Sequence, residues 1–206
     1  AILVVHIFGG TADMDSIMSL AKKHNLKVIE DAAQCPGAYY KNKPIGAIGH
    51  IGGFSLNYHK HIHCGEGGMI VTNDDELAIK AQLIRNHGEN SADQLDKKFL
   101  PNIIGGNYRL TEISAAIGIV QLAKLEKLNH KRKNIAKRYF HELKSENKMP
   151  FDNFCSYHLY WIRVKNRTKF IKNMLEKKIE VGIHYKPIDK MSMYSNKKVN
   201  PITEKS

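Results

Sequence analysis

Phe54–Gly68 reads "FSLNYHKHIHCGEGG" and holds three histidines, a lysine and a cysteine within the six positions from His59 to Cys64. Three chemistries are open to such a stretch. If it is extended, His59, His61 and His63 alternate onto one side, a geometry zinc can use, with Cys64 facing away and no carboxylate among them. Cys64 could act as a nucleophile with a histidine base, although no signature of a known cysteine-enzyme family surrounds it. In the third reading Lys60 is the reactive group. A lysine fixed between strands, beside histidines that disfavour its protonation, suits Schiff-base formation. The "GEGG" that follows permits close backbone approach and a tight reversal. Loop histidines without a function would look the same, so the flanking sequence has to decide.

Working outward, "IGGFSL" before the stretch and "MIVTN" after it read as strands. Ile2–Val5 is a further strand, and "DMDSIMSLAKKHN" is a helix beginning at Asp13 or Asp15 with Ile17, Leu20 and Ala21 on one face. "KVIED" is a short strand ending in two acids. Strand, helix and strand at this spacing form a βαβ unit with a parallel pair. Open α/β sheets bind ligands at the carboxyl ends of their strands, which makes Asp31 a candidate functional carboxylate, while Glu30 points to the other face. Asp74 or Asp75 starts another helix, closed by Gly88. Ser91–Asn107 reads as a loop.

A long helical pattern runs from Thr111, a plausible N-cap, to about Ser145. Helices of that length bridge domains or bend, so a boundary is expected near Lys127. Residues 1–126 then form part of a large α/β domain, and 127–206 a small α+β domain. The small domain is built from the strand "YHLYWIRV", the helix "RTKFIKNMLEKK" and the strand "IEVGIHY".

The 206 residues carry a formal net charge of +12, with 42% hydrophobic and 25% charged residues, ordinary for a globule with a real core. The charge favours anionic partners, including phosphorylated small molecules. No basic patch interleaved with aromatics marks a nucleic-acid binder. No apolar run reaches the roughly 18 residues of a membrane span, and "AILVVHIFGG" reads as a strand and turn, not a signal peptide. Cys35, Cys64 and Cys155 are too scattered for a disulfide framework, which points to a reducing cytoplasm.

Taken in order, "EDAAQ", "FSLNYHKHIHCGEGGMIVTND", "GGNYRLTEISAAIGIVQL" and "GIHYKPI" resemble the DegT/DnrJ/EryC1/StrS family, pyridoxal-phosphate-dependent sugar aminotransferases of fold type I. Four separated blocks match in order and spacing, over nearly the whole chain. The resemblance implies that Lys60 bonds the cofactor and then moves a proton between substrate and cofactor carbons. It implies that Asp31 pairs with the pyridine nitrogen, Gln34 lies near the phenolic oxygen, and Ser55 contacts the phosphate. Asn107 matches a residue that reaches the phosphate across a homodimer interface, and His184 and Tyr185 match a pair on the substrate side. The implied substrates are a nucleotide-linked keto-sugar and an amino-acid donor, commonly glutamate. A related branch, sugar dehydratases, carries histidine where Lys60 stands. The family's N-terminal portion with its Gly-Thr phosphate loop does not precede Ala1, so the chain is expected to be a fragment with an incomplete C-terminal domain.

Overall fold

The computed structural model describes residues 1–89 and 103–194, so most of the loop expected at Ser91–Asn107, and Pro201 in the tail, lie outside the described residues. The mixed α/β fold starts from the expected βαβ unit. β1 (Ile2–Val5) and β2 (Val28–Asp31) pair in parallel, Ile2 opposite Val28 and Val5 opposite Asp31. α1 (Met14–Lys23) connects them. Asp13 caps it by accepting from Ser16 N at 3.3 Å, Asp15 lies in its first turn, and Lys22 and Lys23 lie in its last, each sign favourable to the helix dipole. Its Met14 and Ala21 pack on Val4 and Val28, and this cluster fills one face of the sheet.

A short hairpin follows, β3 (Tyr39–Tyr40) and β4 (Lys43–Pro44), turning through Lys41 and Asn42 at positive φ. β5 (Ile51–Ser55) then joins β2 in parallel, and β6 (Gly68–Val71) returns antiparallel to β5. The sheet order is β1-β2-β5-β6. α2 (Asp75–Arg85) is capped by Asp74, and its end is closed by Gly88 N donating to Leu83 O at 2.7 Å. His87, with φ of 59°, takes the first left-handed position there, ahead of Gly88.

The long helix expected from Thr111 is two helices, α3 (Glu112–Leu122) and α4 (Leu125–Glu142), separated at Ala123 and Lys124. Two expected strands do not form. "YHLYWIRV" directs its backbone to loops: Leu159 N donates to Phe8 O, Trp161 O accepts from Met149 N, and Ile162 makes a lone bridge with Lys148. "IEVGIHY" finds no strand partner among the described residues. β-branched composition does not make a strand without a ladder to join.

The chain divides into two compact units, Ala1–Ile162 and Arg163–Ser206. α4, where the sequence places a boundary near Lys127, packs within the first unit. Asn129 Nδ2 donates to Pro36 O at 2.9 Å, Arg132 Nη1 donates to Tyr157 O and His158 O, and Ala136 is buried with Met149, Cys155 and Tyr157. The second unit holds α5 (Arg167–Glu176), capped by Asn166, and two short 3-10 turns at Ile188–Lys190 and Ser192–Tyr194. No helix among the described residues is long and apolar enough to cross a membrane.

The two faces of the sheet differ. Val4, Val28 and Glu30 are buried on one, whereas Leu3, Val5, Ile29 and Ile70 on the other are exposed. Adjacent glycines of β5 report the contrast. A Cβ on Gly52 would lie 2.0 Å from Gly46 O, while a Cβ on Gly53 meets nothing within 4 Å. Gly52→Ala should therefore lower stability by about 3 kcal/mol or block folding, and Gly53→Ala should stay within about 0.5 kcal/mol of the parent. Urea midpoints of the two variants check this; equal losses would mean that both faces are packed alike.

Candidate active site

Three strand and turn ends meet at the carboxyl edge of β1, β2 and β5. Asp31 is the last residue of β2, and its Oδ1 accepts from Ala33 N at 3.0 Å, which turns the chain off the sheet. That turn carries Gln34, whose Oε1 accepts from Phe8 N at 2.6 Å, so the exit of β1 holds the Gln34 side chain. Gly53 pairs with Asp31 across β2 and β5. Ser55, two residues further along β5, therefore shares the face of Gly53 and Asp31, and its Oγ accepts from Asn57 N at 3.2 Å.

Lys60 follows in a turn organised by Asn57. Lys60 N donates to Asn57 O at 2.9 Å, His59 N donates to Asn57 Oδ1 at 3.0 Å, and Asn57 Nδ2 donates to Glu66 Oε1 at 2.6 Å. The loop closes through Cys64 N to Leu56 O and Leu56 N to Gly67 O, with Gly65 at φ of 90°. Lys60 itself is half-buried.

The histidines do not align on one side, because the segment is a turn and not a strand. His59 is exposed with its ring 3.7 Å from that of Tyr58, His61 is buried, and His63 is half-buried. The zinc reading of His59, His61 and His63 falls on that geometry: among the described residues no three His, Cys, Asp or Glu side chains group so as to hold a metal. Cys64 is buried, and its thiol donates to Glu66 O.

His61 anchors the loop from below. Its Nε2 lies 3.0 Å from Ser156 O, so it donates there, and its Nδ1 is buried with no hydrogen-bond partner. Burial is the largest cause holding its pKa down to about 3, followed by the nearby Arg132 charge, with the Ser156 bond opposing them. Asn107 is exposed beside the end of α2, bridging Asn86, and its Oδ1 accepts from Arg109 N at 3.4 Å. His184 and Tyr185 lie exposed in the second unit, their rings edge-on at 4.9 Å. Asp31, Gln34, Ser55 and Lys60 thus come from one sheet edge, Asn107 follows α2 within the first unit, and His184 and Tyr185 belong to the second unit. Glu30, which the sequence only turns away from the site, is fully buried, and His6 lies bonded to it.

A family model of the DegT/DnrJ/EryC1/StrS aminotransferases matches residues 1–205. The chain belongs to that family. It is 39% identical over 205 residues to a dTDP-3-amino-3,6-dideoxy-alpha-D-galactopyranose transaminase of Aneurinibacillus thermoaerophilus, covering 95% of this chain and 54% of that protein. It is 35% identical to a GDP-perosamine synthase of Escherichia coli O157:H7, over 99% of this chain and 57% of that protein. Among solved structures, Helicobacter pylori PseC, an aminotransferase involved in the biosynthesis of pseudoaminic acid, superposes with a TM-score of 0.82 at 30% identity. That match covers 95% of this chain and 55% of PseC. The chain spans about half the length of these relatives.

The family is pyridoxal-phosphate-dependent in general, and the residues present fit that group. The edge offers an amine, a carboxylate and a hydroxyl, and the empty space over Gly53, directly beside Asp31, leaves room for a flat ring where any side chain would intrude.

The buried His61 gives the loop a pH dependence. Between its ordinary value of 6.5 and about 3, the unfolded chain binds a proton that the folded chain does not. Stability from this residue is complete above pH 6.5 and falls as pH drops, by about 1.4 kcal/mol per pH unit. His61→Gln, which can still donate to Ser156 O, should therefore lose about 2 kcal/mol less than the parent between pH 7 and pH 5. Urea unfolding at both pH values measures it, and parallel losses would assign the dependence to other groups.

Proposed function

We propose that the protein to which this chain belongs is a pyridoxal 5'-phosphate-dependent aminotransferase that moves an amino group from an amino acid, with glutamate as donor, onto a nucleotide-linked keto-sugar. One observation carries the reading. Lys60 stands half-buried in a turn off the sheet edge that also presents Asp31 and Ser55, within a chain that belongs to a sugar aminotransferase family. The relatives named for dTDP-sugar and GDP-sugar products support the substrate class.

The roles are those that the family resemblance implies. Lys60 would hold the cofactor through its Nζ, and that amine would serve to move a proton between carbons at the reacting centre. The Asp31 carboxylate would keep the pyridine nitrogen protonated, Ser55 Oγ would hold the phosphate, and Gln34 would serve the phenolic oxygen. When bound, the cofactor supplies an electron sink for the amino-acid carbanion. Asn107, which is exposed, serves the phosphate site of a neighbouring subunit in a homodimer, as the family resemblance implies. His184 and Tyr185 serve the substrate side. A lysine at position 60, where the dehydratase branch has histidine, favours transamination over dehydration. The substrates and cofactor are those of a cytoplasmic biosynthetic enzyme.

Borohydride reduction of the cofactor-loaded full-length protein, followed by peptide mapping, should place the pyridoxyl group on Lys60. Labelling elsewhere, or none, would sink the assignment. The shared site has its own test, in which subunits carrying Asn107→Ala are mixed with subunits carrying Lys60→Ala. Each mixed dimer then has one site with both residues and one with neither. Activity should rise above that of either parent dimer, and no recovery would place Asn107 within its own subunit's site or outside any site.

A further inference from the structure

His6 and Glu30 are both fully buried, yet neither belongs to the edge that faces a ligand. Ala12 N donates to His6 Nδ1 at 3.2 Å, which makes Nδ1 an acceptor and leaves the ring hydrogen on Nε2. That Nε2 lies 3.0 Å from Glu30 Oε2 and donates to it. Glu30 accepts three backbone donors as well, from Gly46 N at 2.9 Å, Ile48 N at 2.8 Å and Gly49 N at 2.5 Å. Burial pushes the Glu30 carboxyl up, but the bonds from His6, Gly49, Gly46 and Ile48 outweigh it and hold the group below its ordinary value, as the ionised form.

The backbone of His6 is tied to the site at the same time. His6 N donates to Asp31 O at 3.1 Å, and the buried Cys35 thiol donates to His6 O at 3.1 Å. Cys35 follows Gln34 in the turn after Asp31, and Phe8, two residues beyond His6, donates its N–H to Gln34 Oε1. One side chain pair and one residue's backbone therefore touch both strand exits from behind the sheet.

We infer that His6 and Glu30 are a positioning pair, a neutral imidazole and a carboxylate that fix the carboxyl ends of β1 and β2 and thereby aim Asp31 and Gln34 at the cofactor. The inference rests on the reading of Asp31 as the partner of the pyridine nitrogen. A carboxylate must be held close and in line to keep that nitrogen protonated, so small rotations of the β2 exit register at the nitrogen first.

The test uses full-length protein loaded with pyridoxal phosphate labelled with 15N in its ring, and reads the ring-nitrogen chemical shift. Asp31→Asn calibrates the experiment by moving the signal toward the unprotonated position. His6→Leu and Glu30→Gln should move it part of the way, whereas His6→Gln, which keeps an N–H within reach of Glu30, should stay close to the parent. Thermal melts of the unloaded variants identify any that fail to fold. The comparison of His6→Leu with His6→Gln decides the matter even if Glu30→Gln is lost, because both leave Glu30 its backbone donors. A parent-like signal in folded His6→Leu, with Asp31→Asn shifted, overturns the positioning role alone. A parent-like signal in Asp31→Asn overturns the reading of Asp31, and the positioning role falls with it.

Discussion

Successive residues of a strand face opposite sides of a sheet, and in β2 this alternation separates two carboxylates one residue apart. Glu30 turns into the packed side and Asp31 toward the side that stays open. An unmatched buried carboxylate would cost several kcal/mol, on the order of what a whole domain has to spare. Four hydrogen bonds to Glu30 remove that cost, and in doing so they fix the loop from Gly46 to Gly49 and the exit of β1. A slip of register by one residue would exchange the two acids and break the core and the site together.

The same alternation governs β5. Gly52 exists because the Gly46 carbonyl crosses directly beneath it, and Gly53 leaves open space beside Asp31. One glycine answers to packing, and its neighbour lies on the open face. Ser55 continues the site-facing row, after which the chain leaves the sheet and Asn57 folds it into the turn that presents Lys60. The loop is then tied to Ser156 through His61. Lys60 is thus held by bonds on both sides of it in the chain, none of which uses its own side chain.

The helix starts at Asp13 or Asp15, at Asp74 or Asp75 and at Thr111 were legible in the chain because capping depends on residues close in sequence; the structure chose Asp13 and Asp74. The strand-helix-strand order gave the parallel pair that ends in Asp31. The order of the four sequence blocks likewise pointed to the family before any fold was in view. That no strands form over 157–164 and 179–185 was not legible, since a strand exists only where another supplies its ladder, and the first of these segments gives its backbone to loops instead. The histidine run misleads for a related reason. Alternation predicts one-sidedness only in an extended segment, and hydrogen bonds to Asn57 make this one a turn.

Local spacing by itself made Asp31, an acid closing a strand, and Lys60, a lysine ahead of a glycine-rich reversal, candidates for chemistry, and the resemblance of the four blocks to a family added Ser55. Only the tertiary structure decided that Glu30 is matched by His6 from 24 positions away and by a loop 16 to 19 positions on, and that His61 is anchored 95 positions away. Hydrogen bonds of that kind join groups whose separation in sequence is unconstrained. No periodicity records them, and they become visible only when the chain has closed on itself.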